Sequence, residues 1–157
     1  MTLTIRRAGT LDTRQMAGLL NEIIAIGGST AFVDPMTRSD IANWMSATPD
    51  RAAWHVAESD SGKILGFQWI EPHSDLPPQA CTIATFVQPG RTGLGIGSAL
   101  FDATARAARG LGFKWINATI RTDNGSGIAY YQSRGFEDWN TIADAPVAPR
   151  VMKRFIL

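Results

Sequence analysis

The 157-residue sequence predicts a mixed α/β sheet in one domain covering residues 1–157. Three observations carry that prediction. Segments with strand-like apolar patterning alternate with segments whose apolar residues recur at helical spacing. In mid-chain a buried-type strand, "ACTIATFV", passes through a glycine-rich loop into a helix and then into a second buried-type strand, "FKWINATI". Such a βαβ unit makes its two strands parallel. The segments around it pair as hairpins, whose strands are antiparallel.

The elements follow in order. "TLTIRR", residues 2–7, alternates and reads as a strand. Leu11, Met16, Leu19, Leu20, Ile23 and Ile24 then recur at helical spacing, and Gly27 and Gly28 stop that helix. "STAFVDP" is a loop. "TRSDIANWM" is a short second helix with Thr37 or Ser39 as its cap, closed by Pro49. "AAWHVAES" and "KILGFQWIE" are strands joined by "DSG", a hairpin turn. "PHSDLPPQ" is a stiff polar loop, and "ACTIATFV" is apolar enough to be central in the sheet. After the glycine loop, Ile96, Ala99, Leu100, Ala103, Ala107 and Leu111 mark one helix face, with Asp102, Arg106 and Arg109 on the other. "NGSGIAYYQSRGF" is a short helix ended by Gly135, and "EDWNTIA" and "RVMKRFIL" are the final strands.

A chain of this length buries a sizeable core without disulfides or a metal. The net charge of +1 and the scattered basic residues argue against a nucleic-acid partner and against a membrane surface. The start, with Arg6, Arg7 and Asp12 and no apolar core, does not read as a signal peptide, so a cytoplasmic home is expected. Cys81, alone in an apolar run, reads as a packing residue. The five tryptophans, Trp44, Trp54, Trp69, Trp115 and Trp139, are spread over helices and strands, and most are expected in the core.

The informative stretch is "VQPGRTGLGIGSALF", residues 87–101, with glycines at 90, 93, 95 and 97. A strand that ends in bare backbone and opens a helix exposes free N–H groups and the positive end of a helix dipole, which suits a phosphate or pyrophosphate. Two schemes for such a site fail. The Walker pattern needs a lysine after the last glycine, where Ser98 stands. The dinucleotide fingerprint needs a third glycine at the position of Ser98 and no gap after the strand.

A third scheme fits. The run from Val87 to "INATI", followed by "NGSGIAYYQSRGF", resembles the GNAT superfamily, the Gcn5-related N-acetyltransferases, through Gly95, Gly97, Asn124, Ile128, Tyr131, Gly135 and Phe136. The family's Arg/Gln position falls on Thr92, with Arg91 one place earlier, and its usual alanine falls on Gly127. The loop "STAF" resembles the branch that acetylates phosphinothricin and related amino acids.

The resemblance implies a sheet splayed between its fourth and fifth strands, helices on both faces, and acetyl-CoA as co-substrate without a metal. It implies a pyrophosphate on the backbone of Arg91, Thr92, Gly93, Leu94, Gly95, Ile96, Gly97 and Ser98. It implies a pantetheine arm lying along the strand that ends Phe86-Val87, where a backbone N–H also faces the oxyanion. Asn124, Gly127, Ile128 and Tyr131, at i, i+3, i+4 and i+7, share one helix face if the helix begins near Asn124. By the same analogy Tyr131 is the general acid that protonates the leaving thiolate.

The resemblance implies a primary amine of a small molecule or amino acid as acceptor. Its base is Glu71 or His73, with Asp123 as a further candidate that equally suits a helix cap, and His55 in a structural place mid-strand. Phe32 supplies an apolar wall, and Asp34, Glu71 and Asp75 suit a cationic acceptor or are simply solvated. Acetylation of a protein N-terminus or lysine and non-catalytic acyl-CoA sensing stay open, as does a homodimer, since the family often dimerises.

Overall fold

The computed structural model describes residues 2–91 and 94–157. Within them the chain runs β1 (Leu3–Arg7), α1 (Thr13–Ile26), α2 (Arg38–Ala47), β2 (Ala53–Ser59), β3 (Ile64–Glu71), β4 (Ala80–Val87), α3 (Ile96–Gly110), β5 (Trp115–Arg121), α4 (Gly125–Ser133), β6 (Glu137–Ile142) and β7 (Arg150–Ile156). The strands form one sheet in the order β1-β2-β3-β4-β5-β7-β6. Every pairing is antiparallel except β4 with β5, the two strands of the central βαβ unit.

Strand alternation sends side chains to two different layers. Trp54, Val56, Phe67, Trp69 and Phe86 meet Met16, Leu19, Leu20 and Ile23 of α1 and Ile41 of α2. Trp54 and Trp69 lie opposite each other on β2 and β3, and their rings stack with centroids 4.1 Å apart. On the other face, Ile70, Cys81, Ile83, Ile116, Ala118 and Ile120 pack on Phe101, Ala105 and Ala108 of α3 and Tyr131 of α4. Helices therefore cover both faces, as the resemblance implies.

Local chemistry sets the helix ends. Thr37 rather than Ser39 caps α2, its hydroxyl accepting from Asp40 N while the Asp40 carboxylate accepts from Thr37 N. At the start of α1 the Asp12 carboxylate accepts from Gly9 N and takes both terminal nitrogens of Arg6 at 2.8 Å, tying β1 to the helix. Two apolar assignments change. Leu11 lies in a 3-10 turn ahead of α1 and is 97% exposed. The buried face of α3 is Ile96, Leu100, Phe101, Thr104, Ala105 and Ala108, while Ala99, Ala103 and Ala107 flank it half-buried. Phe101 turns the helix toward β7 by packing on Phe136 and Phe155, and alanines are too small to decide the orientation.

Cys81 is buried and its thiol is pushed up to about 12, chiefly by desolvation, as suits an inert packing residue. Among the described residues no helix is long and apolar enough to cross a membrane, and no group of His, Cys, Asp and Glu could hold a metal ion.

Candidate functional site

The sheet opens in its middle. β4 and β5 pair only through Ala80–Trp115, Cys81–Ile116 and Thr82–Asn117. Beyond that point residues 83–87 and 118–121 continue on diverging paths, leaving one edge of β4 with free backbone donors and acceptors. At the apex Asn117, almost fully buried, donates to Thr82 Oγ1 at 3.3 Å and to Thr119 Oγ1 at 2.9 Å and accepts from Trp139 Nε1 at 2.9 Å. The Thr82 bond ties the two strands at the fork, and the other two fix the amide that makes it. The open β4 edge beyond it suits an extended chain that bonds like a strand.

The N-terminus of α3 stands at the wide end of this wedge. Gly95 caps it at a φ of 81°, a left-handed conformation. Ala99 N is bonded to Gly95 O at 3.0 Å, so the N–H groups before it, at Ile96, Gly97 and Ser98, have no intrahelical carbonyl to meet. The Ile96 side chain faces inward onto Leu65 and Leu100, while Arg91 and Leu94 are exposed. Thr92 and Gly93, expected in the same anion site, lie outside the described residues. Gly97 is bare for a reason other than ligand approach: a Cβ there would stand 2.6 Å from Tyr130 Cε1.

Both tyrosines of α4 reach the wedge. Tyr131 is 7% exposed, and its hydroxyl lies 2.8 Å from Thr85 Oγ1 on the open part of β4. Burial pushes its phenol well above the ordinary tyrosine range, and the Thr85 hydrogen bond opposes that shift in part. Tyr130 donates to Gly97 O at 2.7 Å and accepts from Gln68 Nε2 at 3.0 Å. Its phenol is pushed up to about 12, again mainly by burial.

The start of α4 also departs from simple spacing. Asn124 is the N-cap, its Oδ1 accepting from Gly127 N at 3.0 Å. A Cβ at Gly127 would fall 2.4 Å from Asn124 Nδ2, so glycine in place of the family's alanine makes room for this folded-back cap. Half-buried Ile128 packs on the same cluster as Tyr131. Asn124 Nδ2 also donates to Ser29 O, and Arg121 Nη1 donates to Thr30 O, at 3.1 and 2.9 Å. The loop between α1 and α2 is thereby tethered across to the β5–α4 turn.

On the acceptor side the candidates separate. Glu71 ends β3 directly opposite Thr82, at the fork, on the face that carries Trp69 and Phe67. Burial raises its carboxyl above the usual range, opposed by a hydrogen bond from Trp69 and the charge of His73. Tyr131 contacts the other face of β4, so the two lie on opposite sides of the sheet. The His73 and Asp75 side chains are 50% and 84% exposed, and His73 Nδ1 accepts from Asp75 N at 3.1 Å. Asp34 is exposed, whereas Phe32 packs between Trp44 and Phe86, at centroid distances of 5.3 and 6.5 Å. Asp123 is held by a two-pronged bond from Arg121, which keeps its carboxyl below the usual range.

Gln68, Thr85 and Tyr130 were not singled out by the sequence reading. Gln68 carried a usable signal, a fully buried-type position occupied by an amide within "ILGFQWIE". Thr85 and Tyr130 acquire their partners only from strand register and helix placement.

Comparison with known proteins gives a consistent result. The model of the acetyltransferase (GNAT) family matches residues 20–136. A mycothiol acetyltransferase of Arthrobacter sp. (strain FB24) is 31% identical over 73% of this chain and 36% of that protein. The chain thus spans about a third of the length of that relative. A phosphinothricin N-acetyltransferase of Streptomyces coelicolor is 28% identical over 60% of each. The crystal structure of a phosphinothricin acetyltransferase from Sinorhizobium meliloti, solved with AcCoA, superposes with a TM-score of 0.88 at 22% identity, covering 100% of this chain and 89% of that one. That likeness establishes the same fold.

Proposed function

The chain belongs to the acetyltransferase (GNAT) family, and on that premise we propose that this domain moves the acetyl group of acetyl-CoA to a primary amine of a small molecule or amino acid. The observation that carries this reading is the wedge: an unpaired β4 edge, the open N-terminus of α3 at its mouth, and the Tyr131 hydroxyl on Thr85 beside it. A pyrophosphate would take the N–H groups of Leu94, Gly95, Ile96, Gly97 and Ser98, and the pantetheine arm would lie along Phe86 and Val87.

The reaction balances with this chain's own groups. The neutral amine attacks the thioester carbon, a C–N bond forms, and the carbonyl oxygen becomes an oxyanion facing the free backbone N–H groups of β4. The C–S bond then breaks, and the sulfur takes the Tyr131 proton, which solvent replaces. The surplus amine proton leaves through Glu71, whose carboxyl is made more proton-affine than that of an ordinary glutamate by burial at the fork. His73 and Asp75 stand at the rim, where a solvated loop role suits them better than proton transfer.

The tether of Ser29 and Thr30 to Asn124 and Arg121 supports a small acceptor over a polypeptide, because it draws the α1–α2 loop across one flank of the wedge. The relatives named for mycothiol and phosphinothricin favour the same class. A buried free thiol fits the reducing cytoplasm.

The test is thermal stability with acetyl-CoA, CoA, NAD and ATP in parallel, followed by thiol release with a panel of primary amines that includes phosphinothricin. At a hundred times its dissociation constant a ligand adds about 2.7 kcal/mol, a shift of several degrees. Shifts with acetyl-CoA and CoA alone, with turnover of one amine, are expected. Binding without turnover of any amine would favour a sensor, and a shift with NAD or ATP alone would overturn the reading. Tyr131→Phe should lower kcat about a hundredfold or more with little change in acetyl-CoA affinity.

A further inference from the structure

One continuous hydrogen-bond chain runs from the first turn of α3 to Tyr131. Gly97 O lies 2.7 Å from Tyr130 OH, and Tyr130 OH lies 3.0 Å from Gln68 Nε2. Gln68 Nε2 lies 2.9 Å from Thr85 Oγ1, and Thr85 Oγ1 lies 2.8 Å from Tyr131 OH. Gln68 and Thr85 are direct cross-strand neighbours, and Gln68 is fully buried.

The donors and acceptors fix the direction of this chain from Gly97 as far as Thr85. A carbonyl oxygen accepts and never donates, so Tyr130 gives its single proton to Gly97. The Tyr130 oxygen then only accepts, which turns the amide nitrogen of Gln68, and not its oxygen, toward it. The second amide hydrogen goes to Thr85 Oγ1. Thr85 Oγ1 therefore accepts from the amide, and its own proton is shared out between the Tyr131 oxygen at 2.8 Å and the neighbouring Tyr130 hydroxyl oxygen, which already accepts from Gln68. In the arrangement where Thr85 donates to Tyr131, the Tyr131 proton is the one hydrogen of the chain that no protein atom receives. The buried Gln68 Oε1, left without a partner, shows that the amide is oriented by these bonds rather than by its own oxygen.

We propose that Gln68 and Thr85 are positioning residues for acetyl transfer: with its oxygen occupied by the Gln68 amide, Thr85 donates to Tyr131, which turns the Tyr131 O–H toward the leaving sulfur and leaves a bond on the oxygen once its proton has gone. The inference rests on Tyr131 being the acid. A buried phenol is a poor donor to a thiolate unless its anion is stabilised, and the Thr85 hydroxyl supplies that stabilisation in place. Anchoring at Gly97 also ties the acid to the start of α3, where the donor's phosphates would sit.

The surrounding titratable groups are His55 of β2 opposite Gln68, Asp102 and Arg106 of α3, Arg134 of α4, and Cys81 of β4. Among the described residues none of these hydrogen-bonds to Tyr131 or Thr85.

The experiment compares wild type, Tyr131→Phe, Thr85→Val, Thr85→Ala, Thr85→Ser and Gln68→Leu by thiol release from acetyl-CoA, using the amine turned over fastest in the panel above. Circular dichroism and the acetyl-CoA dissociation constant verify folding and donor binding. Thr85→Val and Thr85→Ala should each lower kcat about tenfold with KM for acetyl-CoA nearly unchanged. The basic limb of the kcat profile should move to higher pH, because the tyrosine loses a bond that favours its anion. Thr85→Ser should recover most of the loss, and Gln68→Leu should reproduce part of it. If Tyr131→Phe keeps full kcat, the acid assignment fails and this inference falls with it. If Tyr131→Phe is slow but Thr85→Val keeps both rate and profile, the positioning role alone is overturned. A limb moving to lower pH in Thr85→Val, or a Thr85→Ser variant as slow as Thr85→Val, overturns it equally.

Discussion

Glu71 and His73 are two residues apart, yet the fold gives them opposite surroundings. Glu71 is half-buried at the fork with its carboxyl raised by burial, whereas His73 is half exposed with Nδ1 occupied by the Asp75 N–H. A base in the transfer step needs a proton affinity shifted toward working pH and a place beside the reacting centre. Glu71→Gln should therefore lower kcat/KM about a hundredfold and remove the acidic limb of its pH profile, while His73→Ala should leave that limb in place. Loss of the limb in the histidine variant instead would transfer the role. Of these residues, Tyr131 was proposed from the family resemblance, and its place on α4 beside β4 is what the structure adds. The position of Glu71 at a strand end was legible. The difference between Glu71 and His73 was not, because burial at a fork depends on where β4 and β5 stop pairing. Thr85 was unreadable for the same reason, since nothing local distinguishes it from Thr82.

The start of α3 shows how one element can satisfy two demands at once. Its glycines read as room for a phosphate, and the left-handed Gly95 agrees with a bare helix start. Gly97 answers to α4 instead: its missing Cβ is the space that the Tyr130 ring fills, 2.6 Å from the nearest ring carbon. That ring has no freedom to withdraw, because its hydroxyl is bonded to Gly97 O and Gln68. Gly→Ala in an ordinary helix interior gains roughly 1 kcal/mol. Gly97→Ala should lose about 1–3 kcal/mol by overpacking, and the loss should shrink when Tyr130 is replaced by Ala. Urea unfolding of the two single variants and the double variant measures both, and a stabilising Gly97→Ala would refute the contact. The helices themselves were legible in existence and order. Their contact faces were less so, since the apolar spacing of α3 favoured its alanines, and the bulk of Phe101 decided the orientation.

Across the whole molecule, the parallel β4–β5 pair followed from the βαβ arrangement, but the insertion of β7 between β5 and β6 did not, because hairpin patterning does not say which strand faces the core. The same sheet buries a histidine whose effect is global. His55 lies on β2 under α3, its Nδ1 buried without a partner, and desolvation first, then Arg7 and Arg106, depress its pKa to about 4. The unfolded chain binds a proton at His55 below about pH 6.5, and the folded chain does so only below about 4. Between those values the unfolded state holds more protons, so stability is complete above pH 6.5 and declines as pH falls toward 4. With an allowance for water reaching the imidazole, the loss is on the order of 1–2 kcal/mol. Asp12 acts in a different window. Its bond to Arg6 holds the carboxyl below the usual carboxylate range, so its contribution disappears only at still lower pH. Urea midpoints measured from pH 8 to pH 3 should therefore show two declines. His55→Leu should flatten the upper one and leave the lower, whereas Asp12→Asn should flatten the lower. An unchanged upper decline in His55→Leu would mean that another buried group carries it, and the assignment to the histidine beneath α3 would fail.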